Sequence, residues 1–184
     1  MIVPLFLLFL LGLLEFGMVF DHVLTISYAT REGARTGAAL ANGSKMADES
    51  LGTCSDVDSY VVAAVERVLD SPGSPVHGDL SNVNQIRIYK ATSTGTEVGP
   101  VNVWTPGSGP TVDGRQLNFL RKSYGWDSCT RINNTSNPDS LGVSISYTYH
   151  AVTPLASLMR FFGGAGSTQL PVTDRSVMAL NPTD

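Results

Sequence analysis

MIVPLFLLFLLGLLEFGMVF (residues 1–20) runs without a turn signal into DHVLTISYATREGARTGAALA (residues 21–41). Sixteen of the first 20 residues are apolar, the exceptions being Pro4, Gly12, Glu15 and Gly17. At a rise of 1.5 Å per residue such a helix reaches about 30 Å, the thickness of a bilayer core. A cleaved secretory signal is a poor account of it. No basic stretch precedes the apolar run, and no small-x-small cleavage site follows it. The first turn tolerates Pro4, whose missing N–H had no helical partner to lose. The first stop signal is Asn42-Gly43-Ser44, so one rod of about 57 Å is expected from Pro4 to Ala41.

Two features of that rod need a partner. Glu15 is the single charge in the first 20 residues. A carboxylate at a membrane-helix centre costs about 2.5–3.5 kcal/mol, which the surrounding Leu and Phe residues outweigh without explaining it. It is either protonated, reaching for water from a tilted helix, or in contact with another subunit in a bundle of such helices. The second feature is a stripe of small residues at i, i+4 spacing, Ala29, Gly33, Gly37 and Ala41. Each interior glycine costs about 1 kcal/mol relative to alanine, so close approach of another backbone is expected there. The partner is either this chain's own sheet or a neighbour's helix. Glu32 and Arg35, one turn apart, are expected to pair on an exposed face.

Beyond a polar loop holding Cys54, SDVDSYVVAAVERVLDS (55–71) reads as an amphipathic helix. Val57, Tyr60, Val61, Ala64, Val65, Val68 and Leu69 follow the 3.6-residue period, with Glu66, Arg67 and Asp70 off it. Ser55 and Asp58 have capping-box spacing, and Asp56 and Asp58 are expected to face the helix dipole rather than a calcium ion. Strands are expected at 84–91, 101–104, 142–150 and about 171–180, the last pairing with 142–150. In GVSISYTYH (142–150), Val143, Ile145, Tyr147 and Tyr149 face one way and Ser144, Ser146, Thr148 and His150 the other. TPGSGPTVDG (105–114) reads as a surface loop, without the Lys of a phosphate-binding loop, and PLASLMRFF (154–162) as a short helical piece. The expected fold is α+β: the long hydrophobic helix of 1–41 continues into a head of 42–184, where a further helix packs on an antiparallel sheet.

The polar features argue against several functions. A net charge of −4 gives no electrostatic footprint for nucleic acid. His22, His77 and His150 fall on the long helix, in a loop and on a strand, outside any nucleophile or metal motif. No catalytic residue, metal site or cofactor is expected. Cys54 and Cys129 lack ligand spacing; one disulfide between them is expected, two separate buried thiols being the alternative. Asn42, Asn133 and Asn134 begin Asn-x-Ser/Thr triplets that mark exposure.

Two stretches resemble the TadE-like proteins of bacterial tight-adherence pilus systems. One is VPLFLLFLLGLLEFG (3–17) followed by ATREGARTGA (29–38); the other is VSISYTYHAVTPL (143–155) with a closing SVMAL (176–180). The resemblance implies a pilin-like subunit without enzymatic activity. It would sit in the cytoplasmic membrane with its head outside, then join copies of itself in an extracellular filament with the help of pilus-assembly machinery. Alternatives are a minor, initiating subunit, or an anchored envelope protein that never polymerises. Pilin-like precursors carry a basic leader and a glutamate at the fifth mature position, where this chain has Leu5. It is therefore expected to be the processed chain, to start within the usual N-terminus, or to be unprocessed. Arg31, Arg35 and Lys45 follow the apolar run, which by a positive-inside count would place the head in the cytoplasm. The cysteine pair and the resemblance favour export.

Overall fold

The computed structural model describes residues 2–43, 56–92, 94–154 and 169–181. Cys54, Ser55 and, from residue 155 on, the helical piece expected over 154–162 lie outside them. Helix α1 spans Ile2–Leu40 and α2 Val57–Leu69. The strands are β1 (Val83–Ala91), β2 (Glu97–Pro106), β3 (Thr111–Val112), β4 (Arg115–Gln116), β5 (Phe119–Ser123), β6 (Ser140–His150) and β7 (Gln169–Ala179). The architecture is α+β: a long apolar helix, a second helix, and a five-stranded antiparallel sheet in the order β5-β2-β1-β6-β7.

The long helix ends where the turn signal begins. Ala41 takes a left-handed φ of 51° and Gly43 one of 76°, and the Gly43 N–H donates to Leu40 O at 2.9 Å. Ala41 N–H still reaches Gly37 O, so one of the last free carbonyls is satisfied. The Asn42 and Asn133 amides then face each other at 3.3–3.4 Å, fastening the helix end to the loop before β6.

Both helices pack on one face of the sheet. Val143, Ile145, Tyr147 and Tyr149 of β6 are buried there, as the alternation predicts. The second half of α1 contributes Ile26, Ala29 and Ala34 to the same core, Ala41 follows at its end, and α2 contributes Val57, Val61, Val62, Val65 and Leu69. One cross-strand row shows how the layers are clasped: Arg121, Trp104, Ile86, Ile145 and Asp174 are paired in register across all five strands. Its two ends are charged, and each is tied to a helix. Arg121 pairs with Asp56 at the start of α2, and Asp174 accepts from the Thr30 hydroxyl of α1 at 2.5 Å.

Three local expectations are revised. Asp56, not Ser55, is the α2 N-cap, and its side chain makes no capping hydrogen bond. The loop 105–114 carries into a hairpin, β3–β4, whose central Asp113-Gly114 both have positive φ, as a two-residue type I′ turn requires. Glu66, expected off the apolar face of α2, is buried and accepts from the Asn118 backbone N–H at 2.7 Å.

Candidate membrane and assembly surface

Along the first turns of α1 the described side chains from Val3 to Leu10 are 40–71% exposed. Successive residues point 100° apart, so this sleeve is bare in every direction, with no polar face. α1 is long and apolar enough to cross a membrane, by length and composition, with a mean hydropathy of 1.9. Further along, one side of α1 meets the sheet while the other keeps Phe16, Phe20, Leu24 and Tyr28 exposed at i, i+4 spacing. The apolar surface therefore continues as a stripe up the outside of the molecule.

Glu15 stands where sleeve gives way to head. The Tyr149 hydroxyl donates to its Oε1 at 2.5 Å, the Val152 N–H to Oε1 at 3.2 Å and the Thr153 N–H to Oε2 at 2.8 Å. Its carboxylate is thus satisfied within one chain, by the end of β6 and the turn that follows. Two helical turns on, His22 Nδ1 lies 2.9 Å from the Tyr147 hydroxyl, with its ring stacked on Tyr147 at 5.4 Å and edge-on to Tyr149 at 5.0 Å. Two inward tyrosines of β6 so meet two polar residues of α1. Burial and the neighbouring Glu15 carboxylate push the Tyr149 hydroxyl well above its ordinary value, so it stays a donor.

The small-residue stripe is the seam between α1, α2 and β6 of the same chain. A Cβ on Gly33 would come within 2.6 Å of Val65 Cγ2 and 3.4 Å of Val143 Cγ1. On Gly37 it would come within 2.9 Å of Leu141 and 3.1 Å of Val61. Ala29 and Ala41 are fully buried on the same seam. Gly17 is different: it is exposed, and a Cβ there would meet nothing within 4 Å. Gly12 is half-buried, and Pro4 lies in the first turn of α1. Glu32 and Arg35 pair at 3.6 Å on an exposed face, as their spacing predicts.

A buried polar cluster was not legible in the sequence. Asp58 and Arg131 are both fully buried and pair at 2.5 Å. Asn102 donates to Asp58 and to Trp126 O, while its Oδ1 accepts from the Gly125 and Trp126 N–H groups. Arg131 also lies over the Trp126 ring at 4.4 Å. Burial pushes the Asp58 carboxyl up, against the pull of the Arg131 guanidinium. Asp58 stands in the first turn of α2, as expected, but buried and paired; it pins the 124–132 loop, which carries Cys129, against α2. The spacing signal was absent because Arg131 is 73 residues from Asp58.

The three histidines stay apart. His77 sits against Asp70 at the end of α2 and His150 is exposed at the end of β6, both away from His22. Among the described residues, no group of three or more His, Cys, Asp or Glu could hold a metal ion.

Residues 1–35 match the family model of TadE-like protein, in agreement with the resemblance of the N-terminal stretch. The match spans the sleeve, Glu15 and the first half of the small-residue seam, and the chain is similar to that family over this segment. No curated protein and no solved structure matches the chain.

Proposed function

We propose that this chain is a pilin-like structural subunit of a tight-adherence pilus. Residues 1 to about 20 hold it in the cytoplasmic membrane, the head of 42–184 lies outside, and the helix of 1–41 then joins copies of the chain in an extracellular filament. The observation that carries this reading is the apolar surface of α1, bare all round at its start and continuing as Phe16, Phe20, Leu24 and Tyr28 past the head. A single chain leaves that surface uncovered. Lipid can cover it first, and neighbouring helices afterwards, in a head-to-tail contact that repeats without closing. The similarity of residues 1–35 to TadE-like proteins supports a role in pilus assembly rather than catalysis.

In this reading the partners are other copies, membrane lipid before assembly and the pilus-assembly machinery, with no nucleic acid and no cofactor. Pro4, Gly12, Glu15 and Gly17 belong to the membrane and packing part of α1. Ala29, Gly33, Gly37 and Ala41 serve assembly by letting α1 lie close to its own head, so that the outer stripe is presented at a defined angle. A disulfide between Cys54 and Cys129 would close the loop before α2 onto the 124–132 loop. No cysteine among the described residues is a free thiol, which supports it.

Electron microscopy of material sheared from cells, with antibody against the head, tests the proposal. Regular filaments labelled along their length are the expected result. Label at filament ends alone would mark an initiating subunit. A chain found only in membranes, with filaments unchanged on its deletion, would overturn the reading in favour of a non-polymerising envelope protein.

A further inference from the structure

We propose that the end of the sheet beside Glu15 rests on the bilayer surface, and that Glu15 is the positioning residue that moors it at that level of the helix. The inference rests on the membrane-anchor reading and adds where the anchor stops.

Four observations converge on one level of the molecule. Before Glu15, the described side chains of α1 are all apolar, with none paired to a polar group; after it, the first charge is Asp21, exposed to solvent. At Glu15 itself, three donors from Tyr149, Val152 and Thr153 converge on the carboxylate. These bonds are short-range and directional, so the turn after β6 is fastened to one point of α1 rather than free to slide along it. Beside them, Val152 is 70% exposed and Leu170 48% exposed. Leu170 lies opposite Tyr149 in the β6–β7 ladder, so both apolar side chains stand at the level of Glu15.

The two stretches of this base beside Glu15, 149–154 and 169–171, carry no Asp, Glu, Lys or Arg, and the exposed Asp79 stands further along that end of the sheet, in the turn before β1. Uncharged stretches with exposed apolar side chains, beside a helix that is apolar in all directions, fit a continuous lipid surface better than a single docked protein face. The mooring also accounts for the charge. A carboxylate deep in hydrocarbon is costly, whereas one at the interface with three donors already in place is not.

The test uses the full-length chain, with its native cysteines oxidised, in phosphatidylcholine vesicles. Nitroxide labels go on Leu10→Cys, Val152→Cys, Leu170→Cys and Tyr28→Cys, each read for accessibility to oxygen and to a water-soluble nickel chelate. The expected pattern is Leu10 in hydrocarbon, Val152 and Leu170 at headgroup depth, and Tyr28 in water. Adding Glu15→Ala should mobilise the label at 152 and shift its depth, while near-ultraviolet circular dichroism of the head is unchanged; Glu15→Gln, which keeps one acceptor oxygen, should do so less. If labels at 152 and 170 are as accessible to the nickel chelate as the label at 28, the inference is wrong although the anchor stands. If Glu15→Ala leaves the label at 152 unmoved, Glu15 does not moor the base. A wild-type chain that fails to float with the vesicles would overturn the anchor reading, and this inference with it.

Discussion

Gly33 and Gly17 look alike in the sequence, two glycines inside one helix, but they face opposite demands. Gly33 has Val65, Val143 and Val61 around the space a side chain would fill, the nearest at 2.6 Å. Gly33→Val should therefore force α1 away from α2 and destabilise the chain by about 1–3 kcal/mol. Gly17 has an empty surround, so Gly17→Ala should stabilise the detergent-solubilised monomer by up to about 1 kcal/mol through helix propensity alone. Thermal unfolding in one detergent, followed at 222 nm, checks both signs. If both variants are destabilised equally, the seam is not where the structure places it. The need for close approach at Gly33 was legible from i, i+4 spacing, whereas its partner was not, because spacing says nothing about what lies opposite. Asp58 shows the reverse failure. A carboxylate in the first turn of a helix reads as favourable to the dipole, and only the distant Arg131 reveals it as half of a buried pair.

At the level of elements, what periodicity carries was readable. The alternation of β6 shows in burial from Ile145 to His150, while Leu141–Ile145 are buried on both faces. Helix α2 buries Val57, Val61, Ala64, Val65 and Leu69 as its period predicts, with Val62 and Glu66 besides. β5 escaped notice: Phe119 and Leu120 are adjacent, so the strand buries one and leaves the other exposed at the sheet edge, and no alternation survives. The end of α2 supplies a prediction of its own. Asp70 follows the last turn, where the helix dipole disfavours a negative charge. It is retained by the Gly78 N–H at 3.0 Å, with His77 at 3.0 Å and Arg115 at 2.7 Å. These hold its carboxyl below the ordinary 3.8, the Gly78 hydrogen bond contributing most. A depressed carboxylate contributes stability above its unfolded value and loses it as pH falls through the folded one. Asp70→Asn should thus be less stable than wild type near neutrality, and the gap should close as pH is lowered from about 6 to about 2. Urea unfolding at stepped pH measures it; a gap that is constant or widens in acid would show that the charge is not what holds the turn.

For the whole molecule, the boundary of role and the boundary of folding fall at different places on α1. By composition the chain divides near residue 41, rod before and head after. By packing it divides before residue 21, because Ile26, Ala29, Ala34 and Ala41 enter the core shared by α2 and the sheet, with Met18 and Val19 packed against it. The closing chain repeats the point, as the Asn181 N–H donates to Ala38 O at 2.9 Å and the Thr30 hydroxyl bonds Asp174. Removing α1 to residue 41 would expose one side of α2 and the inner faces of β6 and β7 at once. The loss would be several buried side chains at about 1–3 kcal/mol each, against a total stability of about 5–15 kcal/mol. Residues 42–184 alone should therefore fail to fold, while residues 21–184, freed of the sleeve but keeping the seam, should be monomeric and soluble without detergent. Gel filtration and near-ultraviolet circular dichroism of the two truncations distinguish the outcomes. A cooperatively folded 42–184 fragment would show that the head stands without its helix. An aggregated 21–184 fragment would show that the remainder of the outer stripe, Leu24 and Tyr28, suffices to drive association. If only the second fragment folds, one helix is at once the foundation of the head and the surface by which it is held.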